Sequence, residues 1–211
     1  MGITERKERE KEQRRNDILD AAERVFFKKG LEQATMDDIA NKAELSKGTL
    51  YLYFKSKEEL YFAIGIRAHQ ILWHMFEKVI SPDKKVMDNI FEIGKAFVRF
   101  ANEYPDYFRT MVHFEADFDM HYITEQHKRL FQTEEDPMAL FVEILQNGID
   151  NGVLRNDISA SQLAHILWTQ TTGVLKLAST KDFHPDLHNV SDEEIIMNHF
   201  EILKYGLLKN Q

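Results

Sequence analysis

Residues 35–57 read TMDDIANKAELSKGTLYLYFKSK, and this stretch decides the fold. Thr35 stands before Met36-Asp37-Asp38, so a hydroxyl can cap a helix whose first turn places carboxylates at the positive end of its dipole. Ile39, Ala40 and Ala43 then face inward, and the helix is short. After Glu44-Leu45, Ser46 can cap a third short helix over Lys47–Phe54. Ser56, with Glu59 three residues on, makes a capping box for a fourth. Two short helices joined by a tight turn are thus expected, with Ala40, Leu45, Leu50 and Phe54 on the buried side. Lys47, Thr49, Tyr51 and Tyr53 project from the other faces.

Reading outward, Ile18, Leu19, Ala22, Val25 and Phe26 form the stripe of an amphipathic helix, and Gly30 after Lys28-Lys29 is a stop signal. A first helix over 14–29 is expected. The charged run 5–15 can continue it or fray, and both readings stay open. Downstream, Leu60, Ile64, Ala68, Ile71, Met75 and Val79 share one face, so the fourth helix runs from Lys57 towards Ile80, before Ser81-Pro82. Pro105, Pro137 and Pro185 punctuate the rest. Helices are expected at 84–103, 105–115, 121–133, 137–151, 160–180 and 192–209, with a loop at 182–190. Only 4 Pro and 9 Gly in 211 residues argue against a chain of many turn-joined strands, so the fold class is all-α.

With no Cys there is no disulfide framework, Cys-rich zinc site or thiol nucleophile. No window approaches the ~18 apolar residues of a membrane span, and the start of the chain is charged, so a cytoplasmic location without membrane partners is expected. Net charge is −8, which would repel a polyanion. The sum hides an asymmetry: Lys+Arg and Asp+Glu balance over residues 1–60, and the acidity belongs to the remainder. No phosphate-cradling Gly loop, Gly-x-Ser-x-Gly elbow or His-Glu-x-x-His helix is present, so no enzyme is expected.

A helix-turn-helix needs small apolar residues where two helices cross and a second helix whose outer face is free to enter a major groove; 36–54 supplies both. Lys47 and Lys57 suit phosphate charge. Thr35, Ser46, Tyr51 and Tyr53 can hydrogen-bond phosphate oxygens. Gly48 would let the backbone approach DNA closely, and Thr49 can contact a thymine methyl or a base edge.

The amino-terminal part resembles the TetR family of bacterial transcriptional regulators. Ile18, Ala21, Ala22, Phe26, Gly30, Thr35, Ile39, Ala40, Ser46 to Tyr51, Tyr53, Phe54 and Ser56 to Glu58 fall on that family's pattern, over about residues 14–64. One departure is Glu44, where the family usually has Gly. Residues 1–13 are a charged extension; the resemblance implies a three-helix DNA-binding domain at 14–60 and a larger helical-bundle domain at 61–211 for ligand binding and dimerisation. Its phosphate and base contacts fall on Thr35, Ser46, Lys47, Gly48, Thr49, Tyr51, Tyr53 and Lys57. It further implies a homodimer through a four-helix bundle of the last two long helices. The broad apolar surfaces of 160–180 and 192–209 are compatible with that pairing. The run Arg6 to Arg15 is either an added DNA contact or a solvated helix extension.

Aromatic residues between 73 and 168 can line an apolar cavity or simply fill a core. The candidates for ligand contact are Phe97, Phe100, Met111, Phe114 and Trp168, with His113 and Gln170 as polar contacts; Glu115 or Asp117 would suit a cationic ligand instead. Residues 113–121, HFEADFDMH, carry potential metal ligands but match no standard site spacing, so neither metal nor cofactor is expected. The composite expectation is a ligand-responsive repressor that binds a palindromic operator in double-stranded DNA as a homodimer and is released by a small, lipophilic effector. The alternative is a ligand-independent DNA-binding architectural protein whose acidic domain docks partners.

Overall fold

The computed structural model describes residues 2–117, 135–180 and 183–208, apart from the side chains of Ile3 and of 113–117. The described secondary structure is helical, and the chain forms two compact units. One comprises Met1–Ala68 with Asp106–Phe131, the other His69–Pro105 with Gln132–Gln211. The helix expected at 121–133 lies outside the described residues.

The first unit is built on α1 (Ile3–Gln33), α2 (Met36–Lys42), α3 (Lys47–Tyr53) and the start of α4 (Lys57–Glu77). Helix α1 begins well before residue 14. Neither Gly nor Pro interrupts Ile3–Lys29, and Arg6–Glu10 (2.7 Å) and Gln13–Asp17 (2.9 Å) link successive turns. Of the two readings of the charged run, the continuous helix is the one observed. Gly30, at φ 75° and ψ 166°, breaks the helix where its stop signal stands. The apolar stripe Ile18, Leu19, Ala22 and Phe26 packs against Ile39, Ala40, Leu50, Phe54, Leu60 and Ile64 as one core. On its flank Arg67 pairs with Asp20 and Glu23, each at 2.7 Å, and Tyr107 donates to the same Glu23 oxygen at 2.7 Å. Burial pushes the Tyr107 phenol upward, and the Glu23 carboxylate adds to this, so the phenol stays protonated and keeps donating.

Helix α2 ends in a Schellman motif. The Leu45 N–H reaches the Ala40 carbonyl at 2.9 Å and the Glu44 N–H that of Asn41 at 3.2 Å, which forces Glu44 to φ 56°. Glycine fills the equivalent place after a later helix: Gly152, at φ 68°, follows Pro137–Asp150.

The second unit contains the end of α4, α5 (Val86–Glu103), α7 (Pro137–Asp150), α8 (Ala160–Ser179) and α9 (Asp192–Leu207); α6 (Pro105–Asp117) belongs almost wholly to the first. Helix α4 stops at Glu77 rather than Ile80, because the N–H groups of Val79 and Ile80 both turn back to the Phe76 carbonyl. Helices α5, α7, α8 and α9 pack against one another around Ile93, Phe97, Phe100, Leu145, Leu163 and Leu167, all buried. Gly94 is essential to this packing, since a Cβ there would stand 2.6 Å from the Phe200 ring.

Candidate nucleic-acid interface

Helix α3 is fixed from below and left open above. Leu50 and Phe54 are fully buried and anchor it in the core, whereas Lys47, Gly48 and Tyr51 are exposed and Thr49 and Tyr53 half-buried. Ser46 caps it: its Oγ accepts from the Thr49 N–H at 3.1 Å and lies 2.8 Å from Thr49 Oγ1. Thr35 caps α2 in a reciprocal box, accepting from the Asp38 N–H at 3.1 Å while its own N–H donates to the Asp38 carboxylate, also at 3.1 Å. The Lys29 ammonium, 2.6 Å from Asp38, and the Thr35 hydroxyl hold that carboxyl below its usual range. The cap is therefore ionised at neutral pH.

Lys47 Nζ lies 2.7 Å from Asp37, which raises the lysine pKa. Both side chains are more than half exposed, so the pair is weak and a phosphate can replace the carboxylate at little cost. Lys57 is placed differently. Its Nζ donates to the carbonyls of Leu31 (2.9 Å) and Glu32 (3.1 Å), tying the start of α4 to the end of α1. Gly48 has no internal reason to be glycine: its φ is ordinary for a helix, and an added Cβ would meet only Ser46 Oγ, at 3.9 Å. Arg15 stacks over the Phe54 ring at 4.8 Å, a contact that spacing within either helix does not reveal.

In the second unit, a cavity of about 40 Å³ lies among Phe76, Phe97, Phe141, Trp168, Thr171 and Phe200. Phe97 and Trp168 are stacked at 4.5 Å and 29°. Its polar group is Thr171, whose hydroxyl donates to the Leu167 carbonyl at 2.8 Å and sits 3.1 Å from His199 Nε2. With that proton committed, the imidazole must be the donor across the second bond. Burial lowers the His199 pKa, so the ring is neutral.

Residues 18–64 match the profile described as bacterial regulatory proteins, tetR family. That segment, which spans α2 and α3, carries the amino-terminal domain of the TetR family. The chain is 26% identical over 181 residues, 82% of this chain and 84% of the relative, to the HTH-type transcriptional regulator TtgR of Pseudomonas putida. It is 28% identical over 181 residues, 82% of this chain and 85% of the relative, to the HTH-type transcriptional repressor BepR of Brucella suis. Its fold is similar to that of the fatty acid degradation regulator FadR from Bacillus halodurans, at a TM-score of 0.69 and 16% identity over 92% of this chain and 95% of that one.

The matched segment places the helix-turn-helix on α2 and α3, and the all-helical architecture of the described residues is similar to that of the solved structure. Thr35, Ser46, Lys47, Gly48, Thr49, Tyr51 and Tyr53 are gathered on these two helices and their caps, with Lys57 at the next helix start. The ligand candidates are more dispersed. Phe97 and Trp168 line the cavity; Phe100 is buried and stacked on Tyr104 at 5.8 Å. Met111 is buried in the first unit, and Gln170 is exposed. The side chains of His113, Phe114, Glu115 and Asp117, and residues 118–121 of the acidic His-flanked run, lie outside the described residues. Thr171 was not among the sequence candidates, although it shares a helical face with Leu167 and Trp168 at i+4 and i+3. No helix among the described residues is long and apolar enough to cross a membrane.

Proposed function

We propose that this chain is a ligand-responsive repressor that binds a palindromic operator as a homodimer and leaves it when a small lipophilic effector binds the second unit. The observation that carries the DNA reading is Gly48. A glycine within an exposed helix costs roughly 0.5–1 kcal/mol relative to alanine, and no neighbour in the chain needs the space. A surface that comes close to the backbone at that point, such as a phosphate, supplies the reason. Thr35, Ser46, Tyr51, Tyr53 and Lys47 then take phosphates, Thr49 faces a base edge, and Lys57 adds a donor while holding α4 to α1.

The functional division follows: 14–60 binds DNA, and 61–211 binds effector and a second copy. Pairing is supported by exposed apolar side chains on the last two helices. Ile166 is 45% exposed on α8, and Met197, Ile202 and Tyr205 are 47%, 71% and 75% exposed on α9. For the effector, Phe97 and Trp168 provide flat apolar walls and Thr171 a polar anchor. A cavity near 40 Å³ falls far below the ~300–1,000 Å³ of ordinary ligand sites, so an effector must open it, and that difference gives the ligand its preference between two states. Helix α4 carries Phe76 at the cavity and Lys57 at its start, so displacement of one end reaches the other. A ~100-fold loss of operator affinity requires ~2.7 kcal/mol of such coupling.

The test is selection of duplexes from a random library on the purified protein, followed by footprinting of the winners. The expected pattern is an inverted repeat with two protected half-sites about one helical turn, ~34 Å, apart. Enrichment of no common sequence would remove the repressor reading and favour an architectural protein.

A further inference from the structure

Residues 4–14 of α1 are exposed, and at ~1.5 Å per residue the segment from Ile3 to Arg15 carries the helix about 20 Å beyond the buried turn at Ile18. A helix that is merely solvated mixes its signs along each face, since opposite charges at i,i+4 attract and like charges repel. Here the signs are sorted. Lys7 and Lys11 are neighbours at i,i+4, with Arg14 and Arg15 continuing the same row, while Glu8 and Glu12 form a row beside it. The paired cations lie elsewhere on the helix: Arg6 bonds Glu10 at 2.7 Å, and Arg9 reaches the Glu5 carbonyl at 3.5 Å. Among the described residues, the side chains of Lys7, Lys11 and Arg14 make no ion pair or hydrogen bond.

The basic row is also aimed. Lys7, Lys11, Arg14 and Arg15 stand three turns, about 11 residues, before Ile18, Ala22, Val25 and Phe26, so they extend the face of α1 that packs on the helix-turn-helix. Arg15, the last of them, covers Phe54 at the carboxyl end of α3. The stripe therefore starts beside the recognition helix and runs outward from it. The geometry points to a second DNA contact: Lys7, Lys11 and Arg14 bind phosphates of the duplex flanking the half-site that α3 reads. This rests on the assignment of α3 as the DNA-binding helix. Charge complementarity, and the seating of Arg15 against the carboxyl end of α3, select duplex DNA as the occupant, and ~20 Å of helix spans about 6 base pairs at ~3.4 Å each.

The experiment measures binding by fluorescence anisotropy over a salt series, using the duplex selected by the wild-type protein with ~10 flanking base pairs on each side. Each phosphate contact contributes about 0.9 to the slope of log affinity against log salt. The variant K7Q/K11Q/R14Q is expected to lower the slope by about 2–3 per protomer and to weaken binding at least ~10-fold near 0.1 M salt. Trimming the flanks to the half-site edges should give the wild type the same loss and leave the variant unchanged. The pair R6Q/R9Q removes as much charge as K7Q/K11Q from the opposite side of the helix. R6Q/R9Q should keep nearly wild-type binding while K7Q/K11Q does not. Equal effects of the two pairs, or an unchanged slope in the triple variant, would overturn the assignment. A wild-type protein that prefers no duplex over random DNA would instead overturn the underlying reading of α3.

Discussion

At the residue scale, two positions separate folding from function because each carries a conformational cost. Gly48 lies in an exposed helix with open space around it. Gly48→Ala is expected to stabilise the folded protein by roughly 0.5–1 kcal/mol in urea denaturation while weakening operator binding by at least tenfold. A variant that is stabilised with full DNA affinity would mean that nothing approaches this backbone. Glu44 is the opposite case: a side chain held at φ 56° in the turn between α2 and α3. Glu44→Gly should gain up to ~1 kcal/mol in the same assay with operator affinity retained. The layout of the candidate site, its caps and its buried and exposed positions, was legible in the sequence because capping hydroxyls, an unforced glycine and alternating burial are all local signals. The Lys57 bonds to Leu31 and Glu32 and the Arg15–Phe54 stack were not, since they join residues far apart in the chain.

At the element scale, apolar periodicity placed the helices, and their ends followed from proline and glycine. The misplaced ends have local causes. Charged i,i+4 links carried α1 back to Ile3, and double acceptance by the Phe76 carbonyl closed α4 early. The lining of the cavity was less legible, because an aromatic on an inward face reads alike whether it fills a core or borders a void. Thr171 and His199 belong to this scale: α8 and α9 meet there through one buried polar pair. Burial lowers the His199 pKa, and burial likewise lowers that of His69, against a smaller opposing effect of Asp136. Unfolded histidine titrates near ~6.5, so acid protonates the unfolded chain before the native one. Native stability is therefore fully present above about pH 6.5 and is lost as the pH falls below it. Urea midpoints measured between about pH 8 and 5 should decline accordingly, and His199→Gln should flatten that decline; a parallel decline in the variant would remove His199 from the cause.

At the scale of the whole molecule, charge and exposure fit the proposed division of partners between the two parts. The first 60 residues are neutral overall, yet α1 carries Lys7, Lys11 and Arg14, unpaired among the described residues, and α3 holds Lys47 in only a weak surface pair, while the acidic remainder exposes apolar residues on α8 and α9. Tyr205 at 75% exposure and Ile202 at 71% fit a covered face better than a solvated one. Ile202→Glu with Tyr205→Glu should shift the sedimentation of the protein from dimer to monomer and abolish tight operator binding, since one half-site alone provides half of the contacts. A double variant that still sediments as a dimer would move the interface elsewhere. Sequence-specific DNA binding by α3 is tested most directly by fluorescence anisotropy on the intergenic duplex beside the protein's own gene, with random duplex as competitor. The wild type is expected to bind tightly with a steep negative salt slope, and K47A/T49A to bind only at the random-duplex level with unchanged thermal stability. Equal affinity for both duplexes, or full affinity in the double variant, would contradict sequence-specific binding by α3.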